Sequence, residues 1–156
     1  RVSLRKLATD PLTGLFNEHF VVAQIKNVNA PIDKKVNAFA LLYLSNFTAV
    51  NATHSYKSGE LILKQVTECL LHVTREKDIV GRIGAEQFIV CLVNIEDAVA
   101  KELFGRIKKV LADERFISSS GEKVDVLSNM YVYSSVTSLS DIDEVLAEIR
   151  SVLRKT

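Results

Sequence analysis

Residues 75–88 read Arg-Glu-Lys-Asp-Ile-Val-Gly-Arg-Ile-Gly-Ala-Glu-Gln-Phe. Ile79 and Val80 open a short apolar strand, Gly84-Ala85 supplies a turn, and Phe88-Ile89-Val90-Cys91-Leu92-Val93 runs back. Two apolar runs joined by a glycine-containing turn predict a β-hairpin. Glu86 sits at its tip, where a carboxylate can meet a metal or a metal-bound phosphate. Upstream, Ala38 to Leu44 is an unbroken apolar run. Such a run marks a central strand buried on both faces.

Helical spacing fills the intervals. Asn17 is placed to cap a helix carrying Phe20, Val21 and Ile25. Asn27 to Asn37 reads as a loop. Phe47, Val50 and His54 mark a short helix, and Ser58-Gly59-Glu60 opens a longer one through Leu61, Leu63, Val66, Leu70, Leu71 and Val73. Glu96 to Asp113 is amphipathic, with Val99, Leu103, Ile107, Val110 and Leu111 on one face. Phe116-Ile117 reads as a short edge strand, and Val124, Val126, Met130 and Val132 as a later strand. Ser140 or Asp141 caps a last helix with Ile142, Val145, Leu146, Ile149, Val152 and Leu153. This order predicts an α/β (α+β) domain with a mainly antiparallel central sheet and helices on both faces. The ferredoxin-like plan is the nearest common one.

Composition bounds the function. The 156 residues suit a single domain with its own core. A hydrophobic share of 47% and a net charge of +1 offer no electrostatic case for nucleic acid or a membrane surface. Cys69 and Cys91, each among apolar neighbours, are expected as buried free thiols of a reducing, cytoplasmic setting. No apolar run approaches the roughly 20 residues that span a bilayer. With no initiator Met and no signal-peptide pattern, the chain reads as a piece of a longer protein.

Several motifs, taken together, resemble the GGDEF domains of the diguanylate cyclase family. Asp10-Pro11-Leu12-Thr13-Gly14-Leu15 followed by Asn17 resembles the family's opening motif. Asn51 precedes Gly59-Glu60 at the family's separation of Asn from Gly-Asp. Arg82-Ile83-Gly84-Ala85-Glu86-Gln87-Phe88 falls where the family has Arg-x-Gly-Gly-Asp/Glu-Glu-Phe. The resemblance implies the cyclase-palm form of the ferredoxin-like fold over residues 11–156, with residues 1–10 ending an incoming linker helix at Val2, Leu4 and Leu7.

The resemblance also implies a reaction and a set of departures from it. Active members hold two GTP molecules in facing domains, and each 3′-hydroxyl attacks the other's α-phosphate with loss of pyrophosphate. Magnesium neutralises the phosphates, held by an Asp ending the central strand and by the third signature residue. Here the strand-end position is Tyr43, and a phenol is a poor magnesium ligand. Glu86 is the one ligand candidate that survives. Ala85 replaces the second signature Gly, Gln87 the following Glu, Thr48 a common Lys and Glu18 a common Arg. The late motif is replaced around Leu127-Ser128-Asn129, and Lys155 is the substitute for the family's terminal phosphate-gripping basic residues. The implied protein is a degenerate GGDEF domain in which Gly84, Ala85, Glu86 and Gln87 are vestigial.

What survives points to ligands. Arg75-x-x-Asp78 stands nine residues before Gly84, as does the family's inhibitory site for cyclic di-GMP; Arg106 matches a second arginine that some members add. A guanidinium can fork to guanine or phosphate. The plain alternative for Arg75 and Asp78 is an exposed ion pair at a helix end. Asn51 and Glu60 match the family's guanine-reading pair; as ordinary residues they are a turn amide and a first-turn carboxylate. Three functions follow: a cyclic di-GMP receptor, a protein-interaction module that dimerises or docks a neighbouring sensor or EAL domain, and a weak cyclase or GTP-binding regulator using Mg2+ and GTP. No cofactor is required by the first two.

Overall fold

The computed structural model describes residues 7–135, 139 and 141–154. Helix α1 (Glu18–Lys26) precedes strand β1 (Val36–Leu44), helices α2 (Phe47–Thr53) and α3 (Tyr56–Val73), strands β2 (Ile79–Gly84) and β3 (Gln87–Ile95), helix α4 (Asp97–Asp113), strand β4 (Ser128–Ser135) and helix α5 (Ile142–Arg154). The strands form one sheet in the order β2-β3-β1-β4, and every pairing is antiparallel. This is the ferredoxin-like order, with the apolar run at its centre.

Alternation along β1 divides the core in two. Ala38, Ala40, Leu42 and Leu44 face one cluster with residues of α2, α3 and α4, including Phe47, Ile62, Val66 and Phe104. Phe39, Leu41 and Tyr43 face the other, with Val21 and Ile25 of α1 and Ile142 and Leu146 of α5. Successive strand residues point to opposite faces, so a strand covered on both sides must be apolar throughout. Phe39 and Phe88 are fully buried. Each contributes on the order of 2–3 kcal/mol by leaving water.

The elements match the sequence reading, with shifts at their ends. Strand β1 starts at Val36 rather than Ala38, because the Asn37 amide is satisfied inside the protein. Its Oδ1 accepts from the Asn94 N–H (2.7 Å), and its Nδ2 donates to the Asn29 carbonyl (2.9 Å). Helix α3 starts at Tyr56 rather than Ser58, since Ser55 is the cap and accepts from the Ser58 N–H. Asn17 caps α1 as expected, accepting from the Phe20 N–H at 2.9 Å. On α4 the buried line is Ala100, Phe104, Ile107 and Leu111; Val99 is exposed, and Leu103 and Val110 are only partly covered.

Strand β4 begins at Ser128, later than expected. Val124 instead bonds back to Phe116, and Ile117 makes an isolated bridge to Lys123. The Gln65 amide clasps the backbone of Ile117 on both sides. Of the incoming segment 1–10, residues 7–10 are described: Leu7 and Ala8 are helical, and Thr9 already bridges to Phe16. Val2, Leu4, Ser140 and Lys155 lie outside the described residues. Among the described residues no helix is long and apolar enough to cross a membrane.

Both thiols are free and buried. Burial, aided by the Asp78 charge, pushes Cys91 up to about 12. Burial, with the Glu114 carboxylate accepting its S–H, does the same for Cys69. The thiolate is the reactive form. Neither cysteine should therefore be alkylated by iodoacetamide at pH 8 until denaturant is added; a mass shift in the native protein would contradict this.

Candidate functional site

The hairpin tip is fixed from three directions. Tyr43 is the cross-strand partner of Gln87, and the Leu44 N–H donates to the Glu86 carbonyl at 3.0 Å. Arg82 donates through Nε to the Gly84 carbonyl (3.2 Å) and through a terminal nitrogen to the Ala85 carbonyl (2.8 Å). Its other terminal nitrogen meets both carboxylate oxygens of Asp10 at 3.2 Å. Burial alone would raise the Asp10 pKa. Hydrogen bonds from the Thr13 hydroxyl and N–H, and the Arg82 guanidinium, outweigh it and hold the group below the usual aspartate range. Arg82 thus anchors the hairpin tip and ties the opening motif to the signature.

Arg150 of α5 supplies the third attachment. Its Nε donates to the Gln87 side-chain oxygen at 3.1 Å, one terminal nitrogen pairs with Glu18 at 2.6 Å, and the other donates to the Ile83 carbonyl. The sequence reading did not single out Arg150. The available signal was its place four residues after Leu146, on the buried stripe of α5. An arginine on an apolar face has to find acceptors inside.

These contacts bear on the metal the resemblance implies. Of the two ligand positions, the strand end offers a phenol at Tyr43 and the signature keeps Glu86; the neighbouring Gln87 amide oxygen already accepts from Arg150. Among the described residues no three His, Cys, Asp or Glu side chains cluster as a metal would need. Glu86 stands alone, and the residues present do not fit a divalent ion.

Arg75 and Asp78 are brought together at the end of α3, but not as an exposed pair. Arg75 forks onto Asp78 through Nε (3.1 Å) and a terminal nitrogen (2.7 Å), and the latter also donates to the Val93 carbonyl. Asp78 further accepts from the backbone N–H groups of Arg75 and Val93. Its side chain is 0% exposed, against 32% for Arg75. Asp78 therefore faces the protein, and Arg75 alone faces out. The hollow beside it, about 440 Å³, is lined by Gly14, Phe16, Leu71, Thr74 and Glu76 among others. Arg106 lines a different hollow with His72, Lys109 and Arg115. Within one chain Arg106 does not join Arg75, because the two line separate depressions.

Asn51 of α2 lies against Gly59 of α3, the residue before Glu60. A methyl group on Gly59 would lie 1.8 Å from the Asn51 Oδ1, so only glycine lets the amide lie there. That Oδ1 is buried and accepts no hydrogen bond, whereas Glu60 is exposed. A buried acceptor without a donor is uncommon and calls for an explanation.

An all-antiparallel sheet in the order β2-β3-β1-β4, covered by helices on both faces and carrying a tied-down acidic hairpin, defines an α+β domain of the ferredoxin-like plan. Residues 7–156 match the family described as diguanylate cyclase, GGDEF domain, and the chain belongs to that family. Diguanylate cyclase A of Treponema denticola is 28% identical over 136 residues, covering 84% of this chain and 36% of its own length. Diguanylate cyclase DgcS of Shewanella oneidensis is 34% identical over 83 residues, covering 52% of this chain and 28% of its own. The chain thus spans about a third of the curated relatives it matches. Among solved structures, the GGDEF domain of DgcB from Caulobacter crescentus in complex with c-di-GMP superposes with a TM-score of 0.80. It has 17% identity and covers 99% of this chain and 93% of that one. The GGDEF domain of FimX from Pseudomonas aeruginosa gives a TM-score of 0.71 at 22% identity, covering 85% and 80%. At these identities the structural likeness establishes the fold.

Proposed function

We propose that this is a degenerate GGDEF domain that has lost cyclisation of GTP and works as a cyclic di-GMP receptor within a larger regulator. The observation that carries the reading is the phenol of Tyr43 at the strand end. Where the reaction needs two carboxylates to hold magnesium, Glu86 of the hairpin is the one retained, and among the described residues no group of three acidic, His or Cys side chains gathers there. The receptor role rests on Arg75, partly exposed at the rim of a hollow and held there by Asp78. The DgcB GGDEF domain, which shares this fold, is solved in complex with c-di-GMP. Asp78 acts here by positioning Arg75. Arg106 would take part only from a second copy of the chain, and a homodimer around the ligand is the assembly this favours. The output passes to a neighbouring sensor or EAL domain in the cytoplasm.

Calorimetric titration with cyclic di-GMP tests this. The parent domain should bind at micromolar concentration, Arg75→Ala should weaken binding at least tenfold, a loss of about 1.4 kcal/mol, and GTP with magnesium should give no cyclic product. Equal binding by Arg75→Ala and the parent would place the ligand elsewhere.

A second reading is favoured by one observation. The unpartnered Asn51 Oδ1 is an acceptor suited to a guanine N–H. A GTP-binding regulatory module built on Asn51 and Glu60, or a weak cyclase, would bind GTP in a way that Asn51→Ala removes and Arg75→Ala leaves unchanged.

A further inference from the structure

The hollow beside Arg75 has two walls, drawn from distant parts of the chain. One is the end of α3, with Leu71, Thr74 and Arg75; the other is Gly14 to Phe16 of the opening motif. On the α3 side Leu71 is 54% exposed, an aliphatic patch in the same hollow as a cation. Arg75 commits Nε and one terminal nitrogen to Asp78 and Val93. Its other terminal nitrogen has no partner among the described residues, so two N–H groups remain for a ligand. On the opposite side Gly14 is exposed, and no protein atom lies within 4 Å of the place a Cβ would take. A ligand can therefore come up against bare backbone there.

The opening-motif wall is also where the incoming segment is attached. Phe16 bridges antiparallel to Thr9 and parallel to Gly81 of β2. The Asn17 N–H donates to the Ala8 carbonyl at 2.9 Å, and its Nδ2 donates to the Leu7 carbonyl at 2.8 Å. The Asp10 N–H donates to the Leu15 carbonyl at 2.7 Å, and the Gly14 N–H returns to the Asp10 carbonyl at 2.8 Å. To detach, residues 7–10 must give up bonds to the same short stretch that lines the hollow.

We infer that cyclic di-GMP held at Arg75 spans both walls, with a guanine on Leu71 and against Gly14 to Phe16, and so pins the incoming segment to the domain. The apolar face of a base suits Leu71, and a phosphate suits the spare nitrogen of Arg75. A ligand that touches both walls binds the attached state better than the detached one, and this difference in affinity shifts the equilibrium between them. The inference rests on the reading of Arg75 as the cyclic di-GMP site. It adds Leu71 as a contact and residues 7–10 as the element that responds.

The test is deuterium exchange followed by NMR at the Asn17 N–H, with affinities measured by calorimetry. Cyclic di-GMP at a hundred times its Kd should slow Asn17 exchange at least about fivefold; the ceiling is about a hundredfold, for a ligand that binds the attached state alone. Leu71→Ser changes an exposed side chain. It should leave the exchange rate without ligand as in the parent and weaken cyclic di-GMP binding at least about fivefold, the lower end of what a base gains by stacking. Arg75→Ala should show no slowing. Binding by the parent that Arg75→Ala removes, with Asn17 exchange unchanged by ligand or with full affinity in Leu71→Ser, would keep the receptor reading and overturn this inference. No binding by the parent, or binding that Arg75→Ala leaves intact, would remove both.

Discussion

Gly81→Ala should destabilise the domain by about 2–3 kcal/mol, the upper part of the usual range for overpacking a core. The added methyl would lie 2.6 Å from both Cβ and Cγ2 of Val21 and 2.8 Å from its Cγ1. Val21 is fully buried on α1, so it has nowhere to turn. Its Cβ is fixed to the helix backbone, so relief requires the whole of α1 to lift off strand β2. That movement would also strain the Phe16 backbone, whose carbonyl accepts from the Arg82 N–H. For a chain of this size the thermal midpoint should fall by roughly 5–10 °C. Trimming the neighbour with Val21→Ala should rescue only part of the loss, because the Val21 Cβ itself is one of the close atoms. A Gly81→Ala midpoint within a degree of the parent would mean that α1 packs less closely on the sheet than described.

Asp78→Ala should cost about 3 kcal/mol and abolish cyclic di-GMP binding as well. As the exposed ion pair at a helix end that the sequence allows, Asp78 would be lost at little cost. The buried carboxylate changes that expectation. Its removal orphans the backbone N–H groups of Arg75 and Val93, each such loss costing on the order of 1–3 kcal/mol. Arg75 is a third exposed and can turn towards water, which moderates the total. Asp78→Asn separates the roles. Asparagine keeps one carbonyl oxygen for the backbone donors and loses the charge that holds the guanidinium. Urea unfolding should place it between the parent and Asp78→Ala. Its cyclic di-GMP affinity should be reduced but measurable if Asp78 positions Arg75 rather than touching the ligand. Full ligand affinity in Asp78→Ala would remove both residues from the site.

The fold was legible because its signals are local. An apolar run as short as residues 38–44 reads as a strand covered on both faces, and the hairpin and amphipathic helices place its neighbours. Errors fell where long-range contacts decide. Asn37 looks like a loop residue until Asn94 and Asn29 satisfy its amide, and Val124 looks like strand until it bonds Phe116. The site was legible as a set of departures, since Tyr43, Ala85 and Gln87 stand at identifiable motif positions. The contact of the last helix with the hairpin was not legible. Arg150 lies 63 residues from Gln87 and 132 from Glu18 along the chain. Spacing at that range carries no information, and only packing of α5 on the sheet reveals the contact. The burial of Asp78 was hidden for the same reason, as its acceptor role depends on Val93 across the hairpin.

The four successive carbonyls from Ile83 to Glu86 each receive a donor, from Arg150, Arg82, Arg82 again and the Leu44 N–H. A turn held in that way cannot flicker open one bond at a time. The Leu44 amide that donates into it should exchange with deuterium at the pace of the sheet rather than of a surface loop. The tip then behaves as a rigid fastening between the segment entering the domain, the central strand and the last helix. Asp10, Arg82, the hairpin carbonyls and Arg150 form one unbroken run of polar contacts from the opening motif to α5.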